Sequence, residues 1–207
     1  LDLGRVLRGR APRRLVGHPG RWLMTARDPR RLSTPPGSAY VKLSEGCNRD
    51  CAFCVIPALR GRLRSRPPRD LVEEVRHLAD LGVVEVNLVS QDSLAYGRDL
   101  RARPALARGV RRIADLAGIR WVRLHYLYPQ PLPDELVELW AEHPRVLPYV
   151  DLPLQHASTA MLRRMRRGHD GRLARRLVEQ LRRRVPDLVL RTAFIVGPPG
   201  ESRAEFD

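Results

Sequence analysis

Short apolar segments alternate with longer amphipathic segments over most of the chain. Five segments rich in β-branched and aromatic residues predict strands at 39–43, 83–89, 121–128, 146–154 and 188–196. Between them, apolar residues recur every three or four positions, as they do on one face of a helix. Helices are therefore predicted from near Asp70, over about 105–117 and 133–142, and over a basic stretch in which Leu173, Leu177, Leu181 and Val185 repeat.

The first predicted helix carries signals at both of its ends. Asp70 and Glu73 have the D-x-x-E spacing of a capping box, whose side chains accept backbone N–H groups at a helix start. Gly82 is placed to end this helix, because glycine readily adopts the left-handed conformation that follows many helices. The spacing thus predicts one helix bounded by Asp70 and Gly82.

The order of the elements indicates the fold class. A strand followed by a helix, five times over, predicts an α/β protein with a parallel sheet, because each crossover returns the chain to the same end. Right-handed crossovers curl such a sheet into a barrel, and we expect a partial parallel (βα) barrel of about five βα units. A doubly wound open sheet is the alternative, although no G-x-G-x-x-G follows the first strand.

The domain boundaries follow from composition. Residues 1–38 are rich in Arg, Pro and Gly, which predicts a linker or the end of a preceding domain, and the barrel would occupy 39–207. The chain begins at Leu1, and its last residues, GESRAEFD, resemble the first turn of another helix. We therefore expect a fragment of a longer protein, with a barrel truncated at its C-terminal end.

Charge adds a possible class of partner. The 207 residues include 38 basic and 23 acidic side chains, a net charge of +15, and Lys42 is the only lysine. An arginine excess suits a polyanion such as RNA, because each phosphate contact releases counterions. A GC-rich genome would also favour arginine over lysine, but it would not explain the size of the net charge. No segment is long and apolar enough for a membrane span or a secretory signal, so we expect no membrane partner.

All three cysteines lie in one short window as Cys47, Cys51 and Cys54, with the spacing C-x3-C-x2-C. Their odd number excludes a simple disulfide framework and predicts a reducing compartment, the cytoplasm. A closed zinc site needs a fourth ligand, and none of the six histidines lies at a short ligand spacing from the cysteines. A four-iron cluster normally uses four cysteines, so here one iron would stay open to a ligand that is not protein. We favour the iron–sulfur cluster, with zinc as the alternative.

With Phe53 before the last cysteine, the motif C-x3-C-x-aromatic-C resembles that of the radical S-adenosylmethionine (SAM) enzymes. The resemblance implies that three thiolates hold a [4Fe–4S] cluster and that the amino and carboxylate groups of SAM chelate the open iron. It also implies that one electron from the cluster cleaves SAM to a radical that abstracts hydrogen. The partial barrel of that family agrees with the fold predicted above.

From about residue 32 onward, the resemblance narrows to the methylthiotransferases. It is carried by the segments AYVKLSEGCNRDCAFCVIPALRGRLRSRP, LVSQDSLAYG, WVRLHYLYP, LPYVDLPLQHAS and RTAFIVGPPGE. Ser44-Glu45-Gly46, Ser90-Gln91-Asp92 and His125-Tyr126 resemble the RimO type, which implies addition of a methylthio group to the β-carbon of an aspartate in a small-subunit ribosomal protein. The nearest alternative is a methylthiotransferase acting on a tRNA adenosine.

The resemblance also implies roles for individual residues. Cys47, Cys51 and Cys54 would bind the cluster, and no catalytic residue is assigned. The adenine of SAM would lie near Phe53 and Gly197, and its methionine part would lie near Gln91. Gln155 and Arg191 would also bind SAM. Some of these residues also have a purely structural explanation: Gln91 with Asp92 as the cap of a turn, Gln155 as part of the barrel wall, and Gly197 as part of a turn.

The resemblance further implies groups beyond this chain. Methylthiotransferases carry a second [4Fe–4S] cluster on three cysteines of an N-terminal domain, and no such cysteines occur here. We expect a reductant protein, a ribosomal protein substrate and RNA near that substrate. A hypothesis of a different class is a nucleic-acid-binding module with a structural metal site, which would need a saturated set of protein ligands.

Overall fold

The computed structural model describes residue 8, residues 22–103 and residues 105–207. Five strands form one sheet: β1 (Ser38–Lys42), β4 (Glu85–Val89), β5 (Trp121–Leu124), β6 (Val146–Asp151) and β7 (Val189–Arg191). Two short strands, β2 (Ser44–Glu45) and β3 (Arg64–Ser65), pair antiparallel beside it. The helices are α1 (Ile56–Arg60), α2 (Pro68–Asp80), α3 (Leu106–Ala114), α4 (Asp134–Glu142), α5 (Thr159–Arg164), α6 (Gly171–Arg184) and α7 (Arg203–Phe206).

The large sheet is parallel throughout and has the order β1-β4-β5-β6-β7. Each strand therefore lies beside the strand that precedes it in this sheet, and the order never reverses. A doubly wound sheet would reverse at a switch point, where its strands begin to add on the other side. The structure confirms the predicted parallel α/β sheet, and its one-way order is that of a partial barrel.

Alternate residues of each strand face the helices. Because side chains alternate between the two faces of a strand, one face of the sheet can be wholly apolar. Most positions on the helix side are buried aliphatic residues: Ala39, Val41, Val86, Leu88, Val122, Leu124, Val146 and Val150. They join one core with apolar residues of α2, α3, α4 and α6, and burying that area is the main stabilising contribution to the fold.

The boundaries of several elements differ from those predicted. The β5 strand ends at Leu124 rather than at residue 128, because Tyr126 has a φ of 58° and turns the chain away. Gln155, with a φ of 71°, likewise follows the end of β6. The β7 strand covers only three residues of the predicted 188–196, and the helix α1 was not predicted at all.

The predicted capping box at Asp70 and Glu73 is wrong. Helix α2 has Pro67 as its N-cap and begins at Pro68, because proline suits the first position of a helix, where its missing N–H costs no hydrogen bond. Asp70 lies within that turn and accepts hydrogen bonds from Arg66 and from the Ala26 N–H. Gly82 has a φ of 88° just after the helix, as predicted.

Residues 22–37 contain no helix or strand and lie against α2. The Ala26 N–H donates to Asp70 at 2.8 Å, and Arg30 forms an ion pair with Glu74. Most of the segment predicted as a linker, residues 1–7 and 9–21, lies outside the described residues, so the boundary at residue 38 stays a prediction. No helix in the described part of the chain has the length and apolar character needed to cross a membrane.

Candidate active site

A cavity of about 430 Å³ opens at the carboxyl ends of the parallel strands. Catalytic groups collect at this end of parallel βα barrels, because the loops after successive strands meet there. Of the residues predicted from the sequence, all but Gly197 line it: Cys47, Cys51, Phe53, Cys54, Gln91, Gln155 and Arg191. The sheet thus brings together side chains more than a hundred residues apart.

The cysteine loop leaves the sheet between β2 and β3 and is closed at its base. The Cys47 N–H donates to the Gly61 carbonyl at 3.1 Å, and Asn48 Oδ1 accepts from the Leu63 N–H at 3.1 Å. Gly46 is required at this point, because it has a φ of 77° and a Cβ there would overlap the carbonyl groups of Gly61 and Arg62. The closed base directs the three cysteines toward the cavity.

Two of the three thiols accept hydrogen bonds. Cys47 and Cys51 are half-buried, whereas Cys54 is exposed. Burial raises the pKa of the Cys47 thiol. A hydrogen bond from the Arg49 N–H at 3.4 Å opposes this rise but does not cancel it. The Cys51 Sγ lies 3.5 Å from Arg167 Nη1, which can donate to it. Buried thiolates need such positive or donor groups, and a bound iron would supply a stronger one.

The donor set fits an iron–sulfur cluster better than a single metal ion. Thiolates are the soft ligands that iron–sulfur clusters use, and three of them face one cavity. Each would bind a different iron of a cubane, so their sulfur atoms need not converge on one point. Among the described residues, no group of three or more His, Cys, Asp or Glu side chains is arranged to hold a metal ion. The closed zinc site considered from the sequence therefore has no counterpart in this part of the chain.

Gln91 supplies a further reason to expect a ligand in the cavity. Its Oε1 atom is buried and accepts no hydrogen bond from the residues that the structure describes. A buried acceptor without a donor is costly, so such atoms usually bind a ligand or an ordered water. The alternative of a simple cap is wrong for the neighbouring Asp92, whose side chain makes no cap bond and instead accepts from Arg49 at 2.9 Å.

Arg191 is anchored by a buried carboxylate, as its place in an apolar strand suggests. Its Nη1 lies 2.9 Å from both oxygens of Asp151, whose side chain is fully buried. Burial favours a higher pKa for Asp151, but hydrogen bonds from His125 and Arg191 outweigh it and lower the pKa. The carboxylate thus stays charged and fixes the guanidinium at the cavity wall.

Gln155 and Gly197 differ in their relation to the cavity. Gln155 lines it while its backbone pairs with the segment after β7: its N–H donates to Ala193 and its carbonyl accepts from Ile195, each at 2.8 Å. Gly197 lies outside the lining, and its N–H donates to Glu201 at 2.8 Å. Its φ of 73° favours glycine, but an added Cβ would meet no atom within 4 Å. Its contact with SAM stays a prediction.

Sequence reasoning missed an arginine–tyrosine–arginine stack beside the cysteines. The guanidinium carbons of Arg49 and Arg167 lie 3.7 and 4.2 Å from the centre of the Tyr128 ring. Arg49 is held by Asp92 and by Gln130 at 2.7 Å, and Arg167 by the Pro153 carbonyl at 2.9 Å. The position of Arg49 between two cysteines was the one available signal, because the other contacts span distant parts of the chain.

Comparison with known proteins agrees with this site. The family model of the radical SAM superfamily matches residues 41–207. A protein of Sorangium cellulosum (strain So ce56), named ribosomal protein uS12 methylthiotransferase RimO, is 64% identical over all of this chain and 44% of its own length. A protein of the same name in Anaeromyxobacter sp. (strain K) is 47% identical over all of this chain and 44% of its own length. The chain therefore spans less than half the length of these relatives.

Solved structures show the same fold at low sequence identity. The radical SAM methyltransferase TsrM of Kitasatospora setae has a TM-score of 0.64 and 22% identity, over 86% of this chain and 36% of its own. SuiB of Streptococcus suis, bound to its precursor peptide SuiA, has a TM-score of 0.60 and 17% identity, over 82% of this chain and 35% of its own. On the match to residues 41–207 and this shared fold, the chain belongs to the radical SAM superfamily, which implies a [4Fe–4S] cluster and SAM as its cofactors.

Proposed function

We propose that this chain is the radical SAM part of a methylthiotransferase that modifies the β-carbon of an aspartate in a small-subunit ribosomal protein. The observation that carries the chemistry is the convergence of three cysteines, Gln91, Gln155 and Arg191 on one cavity. The proposed substrate class rests on the relatives that are 64% and 47% identical, both of which are named as methylthiotransferases of uS12.

The roles of the residues follow from their positions. Cys47, Cys51 and Cys54 would bind three irons of the cluster and leave the fourth open. The buried Oε1 of Gln91 is suited to accept a hydrogen bond from the amino group of SAM. Arg191 can place a positive charge beside an anionic group of cofactor or substrate, because its ion pair with Asp151 fixes the guanidinium at the cavity wall. When bound, the cluster and SAM supply the one-electron chemistry that abstracts hydrogen.

Other residues of the cavity would exclude water from the reaction. Tyr126, Leu127, Tyr128 and Ile56 line it together with Phe53, so most of its wall is apolar or aromatic. A reactive intermediate is protected in such a site because side reactions with solvent are limited. The protein would bind, orient and shield, and the cofactors would perform the difficult step.

The proposal extends beyond this chain. A second [4Fe–4S] cluster, bound by cysteines outside these 207 residues, would handle the inserted sulfur. A reductant protein would supply electrons, and the substrate would be met in the cytoplasm with ribosomal RNA nearby. The three cysteines suit that reducing compartment.

Anaerobic reconstitution tests whether the chain binds a [4Fe–4S] cluster with an iron that is open to SAM. With iron and sulfide added, the reduced protein should give an electron paramagnetic resonance signal that changes when SAM is added. SAM cleavage should follow in the presence of dithionite. A signal indifferent to SAM would argue for a saturated structural site and against an enzyme.

Mass spectrometry tests the substrate. The full-length protein, with both clusters, should add one methylthio group to a peptide carrying the loop of uS12 that contains the target aspartate. A peptide with that aspartate replaced by alanine is the control and should stay unmodified. Modification of a tRNA adenosine, with the peptide untouched, would overturn the proposed substrate while leaving the radical chemistry in place.

A further inference from the structure

The arginines that line the cavity differ in how their charge is compensated. Arg49 forms an ion pair with Asp92, and Arg191 forms one with Asp151. Arg167 also lines the cavity and is half-buried, but it forms no ion pair with any carboxylate in the described part of the chain. A half-buried charge is stabilised by an anionic partner. The charge of Arg167 is therefore available to an anionic group that binds in the cavity.

The end of helix α5 determines where Arg167 lies. The Arg167 N–H donates to the Leu162 carbonyl at 2.9 Å, and Arg166 before it has a φ of 54°. This is the pattern of a Schellman motif, which ends a helix and turns the chain. At the same helix end, the Met165 carbonyl accepts from the Ala52 N–H at 3.0 Å, within the cysteine loop. The backbone thus joins the segment that carries Arg167 to the cysteine loop.

The guanidinium of Arg167 is held by three further contacts. Its carbon lies 4.2 Å from the centre of the Tyr128 ring, Nη2 donates to the Pro153 carbonyl at 2.9 Å, and Nη1 lies 3.5 Å from Cys51 Sγ. The ring is fixed in turn, because the Tyr128 hydroxyl accepts from the Gly168 N–H at 2.6 Å. The Nε atom of Arg167 is buried and has no hydrogen-bond acceptor among the described residues. The side chain is therefore held firmly beside Cys51, although the protein does not satisfy all of its donors.

A positively charged donor beside a thiolate ligand changes how easily an iron–sulfur cluster accepts an electron. Hydrogen bonds to the sulfur atoms, nearby charge and solvent exposure set the reduction potential of such a cluster. Reduction transfers one electron from the reductant to the cluster, and it adds one negative charge to the site without forming or breaking a bond. A guanidinium group stabilises this added charge, more strongly in a half-buried site than in water because the effective dielectric constant is lower.

We propose that Arg167 is a positioning residue for the cluster: it donates to the Cys51 thiolate and raises the reduction potential of the bound [4Fe–4S] cluster. The Tyr128 ring and the Pro153 carbonyl hold the donor in place. None of these contacts involves β7, the last strand of the sheet. The inference rests on the cluster of the proposed function, but it does not depend on the proposed substrate.

Redox titration with dithionite, followed by electron paramagnetic resonance without SAM, measures the effect in the reconstituted chain. The chain contains 3 cysteines, so a single cluster gives the whole signal. Arg167→Met keeps an unbranched side chain but removes the charge and the donors. It should shift the reduction equilibrium about tenfold toward the oxidised cluster, which lowers the midpoint potential of this one-electron couple by about 59 mV.

Arg166→Met is the matched control. It removes the same charge one residue away, from a side chain that is exposed and lies outside the cavity lining. Its reduction equilibrium should stay within about twofold of the parent. Arg167→Lys keeps the charge but lacks the planar group that stacks on Tyr128 while donating to two acceptors. It should restore part of the loss and leave a shift of about threefold.

Iron and sulfide content and circular dichroism melts verify that each variant is loaded and folded. Equal potentials in the parent and Arg167→Met, or equal shifts in Arg167→Met and Arg166→Met, would overturn the inference and leave the cluster in place. A parent chain that assembles no cluster would overturn the proposed function together with the inference. If Arg167→Met alone assembles no cluster, Arg167→Lys decides, because a potential equal to that of the parent would then contradict the inference.

Discussion

The two faces of the five-stranded sheet differ at every strand. The face toward the helices carries mostly buried aliphatic residues, whereas the face toward the barrel interior carries many aromatic, amide and charged residues. The residues on the interior face include Tyr40, Asn87, Arg123, Tyr149, Asp151 and Arg191. Because side chains alternate along a strand, the residues on one face of each strand pack in the core, and those on the other face are available to the active site. A slip of one residue in register would exchange the two.

The interior face is held together by its own hydrogen bonds. Asn87 donates to Ser38 Oγ and interacts with His125 Nε2, both at 3.1 Å. His125 Nδ1 lies 3.5 Å from Asp151, which binds Arg191. This chain of polar side chains links β1 to β7. The outer face owes its stability to packing, and the inner face owes its order to satisfied polar groups.

The largest effect is expected on the inner side, at the cysteine loop. Cys51→Ala should abolish cluster assembly and reduce SAM cleavage to background, because a thiolate ligand is lost. The free energy of unfolding of the cluster-free protein should change by less than about 1 kcal/mol, because Cys51 lies in a half-buried loop. Iron content, SAM cleavage and urea unfolding measure the three quantities. A variant that retained the cluster-linked signal and its response to SAM would remove Cys51 from the ligand set.

The second effect separates the two faces within a single strand. Leu124→Ala, on the outer face, should lower the free energy of unfolding by about 2–5 kcal/mol, because it leaves a cavity in the packed core. Arg123→Ala, its neighbour on the inner face, should cost no more than about 1 kcal/mol, because its ion pair with Glu85 is partly exposed. Urea unfolding of both variants makes the comparison. Equal losses would show that the two faces do not divide stability and chemistry.

The same division explains what could be predicted from the sequence. The apolar strands follow a short-range pattern, so the parallel sheet and its outer face could be predicted. The residues at strand ends, such as Gln91 and Arg191, could be placed near the cysteines because parallel strands end at one edge. The sites where local signals failed are turns: Tyr126 adopts a positive φ within an apolar run, and Pro67 rather than Asp70 starts α2.

Pairings between distant residues could not be predicted. That Asp151 lies opposite Arg191 depends on the register of β6 and β7. The alternating pattern indicates which face each residue occupies, but it does not indicate which two residues lie opposite each other. The stack of Arg49 and Arg167 on Tyr128 likewise joins residues that no local pattern connects.

A third, smaller effect tests the polar chain of the inner face. Asp151→Asn keeps the volume but removes the charge that binds Arg191, and should lower the free energy of unfolding by about 1–3 kcal/mol near neutral pH. Since the folded protein lowers the pKa of Asp151, this contribution is present above its ordinary pKa of about 3.9 and is lost as pH falls through the lower folded value. Urea unfolding at pH 7 and pH 3 should therefore show a difference between parent and variant that narrows at the acidic pH. A difference that is constant with pH would mean that the charge of Asp151 does not contribute.

The smallest effect concerns His169, which packs edge-on against the Tyr128 ring at 6.1 Å behind the cysteine loop. Burial, with a further contribution from the charge of Arg167, lowers its pKa to about 4, from about 6.5 in the unfolded chain. The unfolded state then binds more protons below pH 6.5, so stability should fall as pH is lowered from about 6.5 toward 4. Between pH 6.5 and pH 5 the loss should be about 1.5 kcal/mol, and His169→Phe, which cannot titrate, should remove it. Denaturant titrations of both proteins at the two pH values measure it, and an identical acid loss in the variant would assign it to other groups. Such a loss would give the inner side of the sheet a pH dependence that the aliphatic outer face, which has no titratable group, cannot have.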